Sequence, residues 1–430
     1  MSPGNHDLNA PPSMPLLMNQ KPLWIIHGHA FDLTDWIPRH PGGSLILLQV
    51  QGTDCTALFE SYHALTKKPV NEMLKKYYIR DAFSVEMDAS CMFNWEAMPK
   101  YKKIQEQVQC YFKNTSSKAP WWVMLWYAIW LVVLMCSCYY WATYGCKWAS
   151  IVFGLSMWYT SGDMLHTGSH YGICKDVRLN IFLAYAFGVF HHIPSAWVRQ
   201  HVMGHHAYTN TKYDPDLKHH YDWGWRNSPQ DQPLAMHTQW KLRYPMLTLL
   251  TGVGPAIGET ISWLTNKPDI YGKSNILWWE HGLILSQWLF YVAIFVLAVC
   301  YHGACIGLMP LAIHGTIYSL VTQPTHINTE SFTDEDQSRE WAVHQFQASR
   351  GDYSQSSLFL TFATVGLNLQ SVHHLFPNVH WCHYPALYPI VCEAMGEPCV
   401  HKSWRSSYIC YLKHLHQLNG DLINRHTDLG

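Results

Sequence analysis

Histidine is the residue type in this chain with the most potential for chemistry, with 28 copies among 430 residues. A neutral imidazole offers a ring nitrogen to a transition metal, and two histidines four positions apart on a helix lie on one face. The potential ligands fall into three clusters: His166-Thr-Gly-Ser-His170, His201-Val-Met-Gly-His205-His206 and Gln370-Ser-Val-His373-His374. These eight side chains are enough for two metal ions, so we predict a two-metal site.

The identity of the metal does not follow from the histidines alone. Imidazole suits iron, copper and zinc, and neither a cysteine cluster nor a set of carboxylates competes with the three clusters. The 13 cysteines are scattered and form no CxxC pair. This pattern argues against a disulfide framework and fits a reducing compartment.

A second kind of site is indicated near the N-terminus, where His40 precedes the tight turn Pro41-Gly42-Gly43 and His63 follows a short amphipathic run. Two loop histidines can ligate a haem from opposite faces while apolar neighbours bury the porphyrin. With both axial positions filled, such a haem is left with electron transfer. A haem donor in the same chain favours a redox-active metal, hence iron, because zinc has no use for electrons. The apolar neighbours are Trp36, Ile37, Leu45, Leu58 and Phe59.

Long uncharged segments predict that the C-terminal part crosses a membrane. Charged residues make up only 14% of the chain, whereas soluble proteins average about 25%. The segment 121–145 carries no charge and is long enough for one span, and 281–329 is long enough for two. We predict four spans, at about 121–145, 148–162, 282–301 and 304–324. Spans in two pairs would place the N-terminus and all three histidine clusters on one side of the membrane.

The composition also predicts where the domains begin and end. Residues 1–20 are expected to be a disordered lead, 21–90 a small haem-binding domain, 91–120 a connector and 121–430 the membrane domain. The first twenty residues contain no apolar core of a secretory signal, so we expect the N-terminus to stay in the cytosol. The net charge of −1 gives no reason to expect a nucleic-acid partner.

Two sets of motifs in this sequence resemble known protein families. The HPGG turn, with Asp32-Leu33-Thr34 before it and the Phe59–His63 segment after it, resembles cytochrome b5 over about residues 20–90. The order HxxxH, HxxxHH and QxxHH behind such a domain resembles the front-end fatty acyl desaturases over about residues 20–400. Gln370, in place of a histidine, separates that group from other membrane desaturases. The flanking segments GHHAYTN (204–210), Asp214-Pro-Asp216 and Gly366-Leu-Asn368 agree.

This sequence departs from the family pattern at two positions. The first cluster reads HTGSH, where relatives often have Asp after the first histidine, and the third reads QSVHH, where many have Glu two places after the glutamine. Neither position is expected to bind metal, so the expected metal site is unaffected. The departures leave the substrate subgroup open.

The resemblance implies a small α+β cytochrome b5-like domain followed by an all-α membrane domain with about four transmembrane helices. A cytosolic helical cap would hold a di-iron site. His326 matches a histidine that recurs in relatives and is a further candidate ligand, and Asn368 is a candidate for holding a metal-bound water. Asp163, Asp214 and Asp216 are candidates for accepting a hydrogen bond from the other nitrogen of a ligating imidazole. The implied ligands are His166, His170, His201, His205, His206, Gln370, His373 and His374 for iron, and His40 and His63 for haem b.

The implied reaction inserts a cis double bond between an existing double bond and the carboxyl end of a polyunsaturated acyl chain, in polyunsaturated fatty acid biosynthesis. It uses dioxygen as co-substrate and electrons from NADH. The sequence has no Gly-rich nicotinamide fingerprint, so a separate cytochrome b5 reductase is expected as partner. No separate acid or base is predicted. The valine in QSVHH slightly favours delta-5 over delta-6 chemistry, and the acyl carrier stays open between phospholipid and CoA ester.

Three alternatives remain at this stage. A sphingolipid long-chain-base desaturase has the same haem fusion and the same glutamine, and the same iron chemistry can also hydroxylate a fatty acid. More distant is a membrane-anchored haem electron carrier without catalysis. From the class we expect a multi-pass protein of the endoplasmic reticulum membrane, with the N-terminus and the histidine clusters facing the cytosol.

Overall fold

The structure is a computed structural model. It describes residues 22–66, 69–82, 92–188, 192–222, 226–231, 254–265, 278–332, 339–399 and 402–427. The disordered lead predicted at 1–20 and the end of the haem domain predicted near 90 lie outside these ranges. The predicted domain boundaries therefore stay predictions.

The N-terminal unit is built on a three-stranded antiparallel sheet of Trp24–Ile26, His29–Phe31 and Tyr78–Asp81. The first two strands are joined by His27-Gly28, both with positive φ, the conformation that two-residue hairpins favour. Trp24 and Phe31 are buried in the core of this unit. Its helices are Thr34–Arg39, Ser44–Gln49, Thr56–His63, Val70–Leu74 and Lys75–Tyr77.

The connector contains the helix Pro99–Tyr111, whose first residue is the proline that helix starts favour. Tyr101, Ile104 and Val108 recur on one face of this helix and are fully buried. The Tyr101 hydroxyl donates to the carbonyl of Glu60, 3.2 Å away. The connector helix therefore packs against the N-terminal unit rather than extending freely away from it.

Three helices among the described residues are long and apolar enough to cross a membrane: Trp121–Tyr144, Trp279–His302 and Ala304–His326. Many of their apolar side chains are exposed; Leu125, Val132 and Leu289 are all more than half exposed. An exposed apolar surface of this extent needs lipid around it. The span predicted at 148–162 instead forms the helix Lys147–Met157 and a π-helical turn, Trp158–Gly162, and leads directly into the buried helix Asp163–Ser169. The predicted count of four spans is thus approximate.

The remaining helices among the described residues are together called the cap. Its core contains Trp341, Phe376, Trp381, Leu387 and Val391, all at most 1% exposed. After the haem-type unit, the residues that the structure describes are mostly helical, in agreement with the expected architecture. The helices are Val177–Phe187, Pro194–Trp197, Val198–His205, His206–Tyr208, Pro215–Asp222, Gly254–Thr265, Trp341–Ala348, Leu358–Ala363, Leu367–Leu369, Gln370–Leu375, Trp381–His383, Tyr384–Met395 and Trp404–Thr427.

Candidate metal and haem sites

The first histidine cluster lies where the apolar run from Lys147 reaches the cap. His166 lies in the helix Asp163–Ser169, and His170 caps its C-terminal end. Their ring centroids are 4.9 Å apart, as expected for side chains four residues apart on one helical face. His166 is 6% exposed and His170 is fully buried.

The second cluster lies on a π-helical turn, Val198–His205, a geometry often found at functional sites. Because a π-helix pairs residues five apart, His201 and His206 face each other, with their Nε2 atoms 3.2 Å apart. His205 points to the other side, where its Nε2 lies 3.4 Å from Nε2 of His326. One short segment thus serves two neighbouring groups of ligands.

Eight of the buried histidines form two groups, in each of which the potential ligand atoms all lie within 4.8 Å of one another, and His201 and His205 form a further such group with Asp216. The third cluster contributes to both, since His373 belongs to one group and His374 to the other. The arrangement has the form of two adjacent metal sites. The first group is His166, His170, His201, His206 and His373, and the second is His205, His326 and His374.

Gln370 lies beside the second group. Its Nε2 atom is 2.8 Å from Nε2 of His326 and 3.4 Å from Nε2 of His374. A half-turn of the amide would exchange its nitrogen and oxygen, so that the oxygen faces both rings. Asn368 is also buried, and its amide donates to the carbonyl of Tyr353 while its oxygen accepts from Thr364. A water held by Asn368 remains a prediction.

The inward nitrogens of the first group are suited to a metal. The Nε2 atoms of His166, His170 and His373 are buried and have no hydrogen-bond partner among the described residues. Burying such atoms unpaired is costly, and a metal ion would satisfy them. On the outer side, Nδ1 of His373 lies 3.0 Å from the Tyr384 hydroxyl. In metal-binding histidines, one ring nitrogen typically donates a hydrogen bond to a nearby acceptor while the other binds the metal. The residues therefore fit two transition-metal ions.

Carboxylates and amides fix the rings of the second group. Nδ1 of His205 donates to Asp214, 3.0 Å away, and lies 3.5 Å from Asp216. Nδ1 of His374 donates to Oε1 of Gln345, 3.0 Å away. Both contacts leave Nε2 to face the site. Gln345 and Tyr384 were not among the residues singled out in the sequence, because no local spacing connects them with the clusters.

Asp163 is fully buried beside the first cluster. It accepts a hydrogen bond from Thr167, 2.6 Å away, and its two oxygens each lie 3.2 Å from Nε1 of Trp381. These contacts connect the helix of the first cluster to the segment that follows the third. A role in orienting a histidine ring remains a prediction for this residue.

Electrostatics keep most of the site neutral. Burial lowers the pKa of His166 to about 3, and it lowers the pKa of His373 and His374 well below the ordinary value. His205 behaves differently: burial lowers its pKa, but the charges of Asp214 and Asp216 outweigh burial and raise it to about 9. Neutral imidazoles are the form that binds a metal, so the first group needs no proton loss on binding.

Other histidines lie around the site without joining the two groups. His344 is buried and donates to the carbonyl of Thr209, 2.8 Å away, and His380 is fully buried beside the Tyr127 hydroxyl. His192 is buried against Glu259. These contacts give all three histidines a structural position in the packing around the ligands.

The haem-type site is formed by His40 and His63, whose ring centroids lie 6.3 Å apart. Nδ1 of His40 donates to the carbonyl of Gly43 (2.9 Å) and Nδ1 of His63 to that of Phe59 (2.8 Å). Both Nε2 atoms are therefore left for an iron between the rings. A Cβ at Gly42 would lie 2.7 Å from Cε1 of His40, so the turn needs glycine to fit the ring. The residues fit a bis-histidine haem.

The fold and these sites define a helical membrane protein with a haem-type domain and a histidine-rich metal site. Comparison with known proteins agrees: residues 141–406 match the fatty acid desaturase family, and residues 16–82 match the cytochrome b5-like haem/steroid binding domain. The first match covers more than half of the chain. This chain therefore belongs to the fatty acid desaturase family and is an oxidoreductase, which confirms the haem-fusion desaturase that the sequence indicated.

Curated relatives match over nearly the full length. Delta(5) fatty acid desaturase A of Dictyostelium discoideum is 29% identical, over 87% of this chain and 85% of its own. Acyl-lipid (8-3)-desaturase of Mortierella alpina is 27% identical, over 91% of this chain and 93% of its own. Acyl-lipid omega-13 desaturase of Chlamydomonas reinhardtii is 25% identical, over 91% of both chains. The relatives share the reaction class, but their names differ in the position of the double bond.

Proposed function

We propose that this chain is a front-end acyl desaturase that inserts a cis double bond between an existing double bond and the carboxyl end of a polyunsaturated acyl chain. The observation that carries the proposal is the pair of buried histidine groups directly beside a haem-type domain in one membrane protein. Two of the relatives are named as delta-5 and (8-3) desaturases, which supports a slight preference for delta-5 over delta-6.

The site residues divide naturally between two iron ions. His166, His170 and His201 would hold one iron together with His206 and His373, while His205, His326 and His374 would hold the other together with Gln370. When bound, the iron pair supplies the reductive activation of dioxygen that is needed to remove hydrogen from an unactivated CH₂–CH₂ pair.

The protein's own contribution is to keep this region dry and the rings fixed. All the proposed iron ligands are at most 8% exposed, so bulk water is kept away from them. Asp214, Gln345 and Tyr384 each contact an outer ring nitrogen and so hold the inner nitrogen toward the site. We propose no separate acid or base, because the proposed reaction needs none.

Electrons are proposed to enter through the haem. His40 and His63 would together hold the haem iron, and a haem ligated by two histidines would transfer electrons instead of binding dioxygen. We propose NADH as the source of the electrons and a separate cytochrome b5 reductase as the partner that passes them to the haem.

The exposed apolar faces of the three long helices support a multi-pass protein embedded in lipid. We place it in the endoplasmic reticulum membrane, with the N-terminus and the cap on the cytosolic side. Its substrate is a fatty acyl chain carried by a phospholipid or by CoA. A reducing cytosol fits the cysteines, of which the twelve that the structure describes are all free.

The test is a lipid profile in living cells. The chain would be expressed in a host without polyunsaturated lipids, which is fed defined eighteen- and twenty-carbon polyenoic acids, and new double bonds would be mapped by gas chromatography–mass spectrometry. His373→Ala is the matched control. We expect a new double bond on the carboxyl side of an existing one in the wild type only. No new acyl product from a haem-loaded chain would refute the acyl substrate and favour a sphingoid one.

A further inference from the structure

One side chain of the haem domain reaches directly into the metal site. Tyr62 is the residue before the proposed haem ligand His63, and its hydroxyl lies 2.7 Å from Nδ1 of His170. The two rings are close to parallel, with centroids 6.3 Å apart. The proposed haem site and the proposed iron site are therefore connected through a single hydrogen bond and one step along the chain.

The direction of this hydrogen bond follows from the site. Nε2 of His170 belongs to the five-histidine group and has no hydrogen-bond partner in the described part of the chain. If Nε2 binds a metal, the single proton of the neutral ring must sit on Nδ1, which then donates to the Tyr62 oxygen.

Tyr62 is held in this position by contacts from the rest of the protein. The side-chain amide of Asn378 donates to the Tyr62 carbonyl, 3.0 Å away. The Gln109 amide donates to the carbonyl of Ala64 (2.8 Å), just as the Tyr101 hydroxyl donates to Glu60. These carbonyls belong to the C-terminal end of the haem-ligand helix, whose last turn lacks partners of its own. The helix end is thus docked on the membrane domain and its connector through its own backbone.

A close backbone contact supports the same docking. Gly43, in the turn after His40, has φ +88, and a Cβ there would lie 2.6 Å from Cγ1 of Val177 in the membrane domain. The turn can approach this helix only because it has no side chain. Both proposed haem-ligand segments are therefore in contact with the membrane domain.

We propose that Tyr62 is a positioning residue that the haem domain contributes to the iron site. It fixes the ring of His170 as a ligand and, with His63, forms the protein link along which electrons pass from haem to iron. The inference rests on the proposed desaturase function, because it requires both metal groups. With both groups bound, each transfer would oxidise a ferrous haem held by His40 and His63 to ferric and reduce one ferric non-haem iron to ferrous, while the Tyr62 hydroxyl would keep its proton. A reductase that takes electrons from NADH returns the haem to the ferrous state.

The experiment compares Tyr62→Phe with Tyr101→Phe in the purified full-length holoenzyme. Each variant removes one hydroxyl that bridges the haem domain to the rest of the chain, but only Tyr62 contacts an iron ligand. Haem occupancy from the absorbance spectrum verifies folding. Iron per chain is measured during titration with a chelator, and reoxidation of the reduced haem by the ferric iron site is followed by stopped flow without dioxygen.

For Tyr62→Phe we expect normal haem occupancy, iron affinity lowered about 10- to 100-fold, as for the loss of an outer partner, and severalfold slower haem reoxidation. Tyr101→Phe should match the wild type in both measurements. Wild-type behaviour of Tyr62→Phe, or equal losses in both variants, would overturn the proposal. If wild-type protein binds iron and reoxidises its haem but makes no new double bond, the proposed substrate is wrong while the role of Tyr62 stands.

Discussion

The amide nitrogen of Gln370 lies 2.8 Å from Nε2 of His326, although the two residues are 44 positions apart in the sequence. His326 ends the last long apolar helix, and Gln370 begins the helix of the third cluster. The contact joins the membrane helices to the cap at the second group of ligands. The contact also explains how a glutamine can replace a histidine as a metal ligand, because the amide oxygen can reach the same position as a ring nitrogen.

The first prediction concerns this glutamine. Gln370→Leu removes the amide without changing the side-chain volume much, so we expect at least about tenfold weaker binding of the iron held with His205, His326 and His374. Gln370→His should retain iron, since an imidazole can replace the amide as a ligand. Iron per chain, measured by mass spectrometry and normalised to haem, checks both. Full iron in Gln370→Leu would show that the amide is not a ligand.

The carboxylate that orients His205 provides a second test. Asp214 lies 3.0 Å from Nδ1 of His205, whereas Asp216 lies 3.5 Å away and also accepts from Gln200. We therefore expect Asp214→Asn to lower iron affinity by about 10-fold or more and Asp216→Asn to have the smaller effect. Competition with a chelator measures both. The reverse order would contradict the assignment of Asp214 as the main partner.

Haem binding and iron binding can be tested independently by mutation. His63→Ala removes a proposed axial ligand, so we expect the haem absorbance to be lost while iron bound by the three histidine clusters is largely retained. Desaturation in cells should fall with the haem because electrons no longer enter. His29→Ala, at an exposed position in the same domain, is the control. Normal haem content in His63→Ala would rule out this ligand.

Asp163 predicts a pH dependence of stability. Burial raises its pKa from 3.8 to about 7 in the folded protein. Between these values the folded state holds a proton that the unfolded state has lost, so stability should fall as pH rises through this window. Asp163→Asn removes the ionisation, and its melting temperature should fall less between about pH 5 and 7. Asp35→Asn, on the surface, should follow the wild type. If melting temperature fell equally with pH in the wild type and in Asp163→Asn, the raised pKa of Asp163 would be contradicted.

The sequence predicted the parts of the site that are local. The three clusters, the haem-type domain and the long apolar segments all follow from spacing or composition, and the structure brings the cluster residues together. The sequence could not predict which histidines belong to the same ligand group. His205 and His206 point to different sides because the backbone forms a π-helical turn, which a search for the 3.6-residue period of an α-helix does not reveal. The segment at 148–162 was predicted as a simple span because its uncharged composition does not show that it continues into a buried site.

The outer partners were hidden for a different reason. Gln345 and Tyr62 lie 29 and 108 positions from the histidines they contact, and no local spacing connects either of them with the metal-site clusters. Such contacts are determined by how the helices pack, which single-sequence patterns do not encode. Asp214 could be predicted because it lies only 9 positions from His205.

The most direct test of the account is a reaction with purified full-length protein, NADH, a cytochrome b5 reductase, dioxygen and a polyunsaturated acyl substrate deuterated on the carboxyl side of its first double bond. Product mass and double-bond position would be read by mass spectrometry. We predict the loss of one deuterium from each of two neighbouring carbons and a new cis double bond between them. A product that gains oxygen instead, or NADH oxidation through the haem with an unchanged acyl chain, would contradict the assignment as a front-end desaturase.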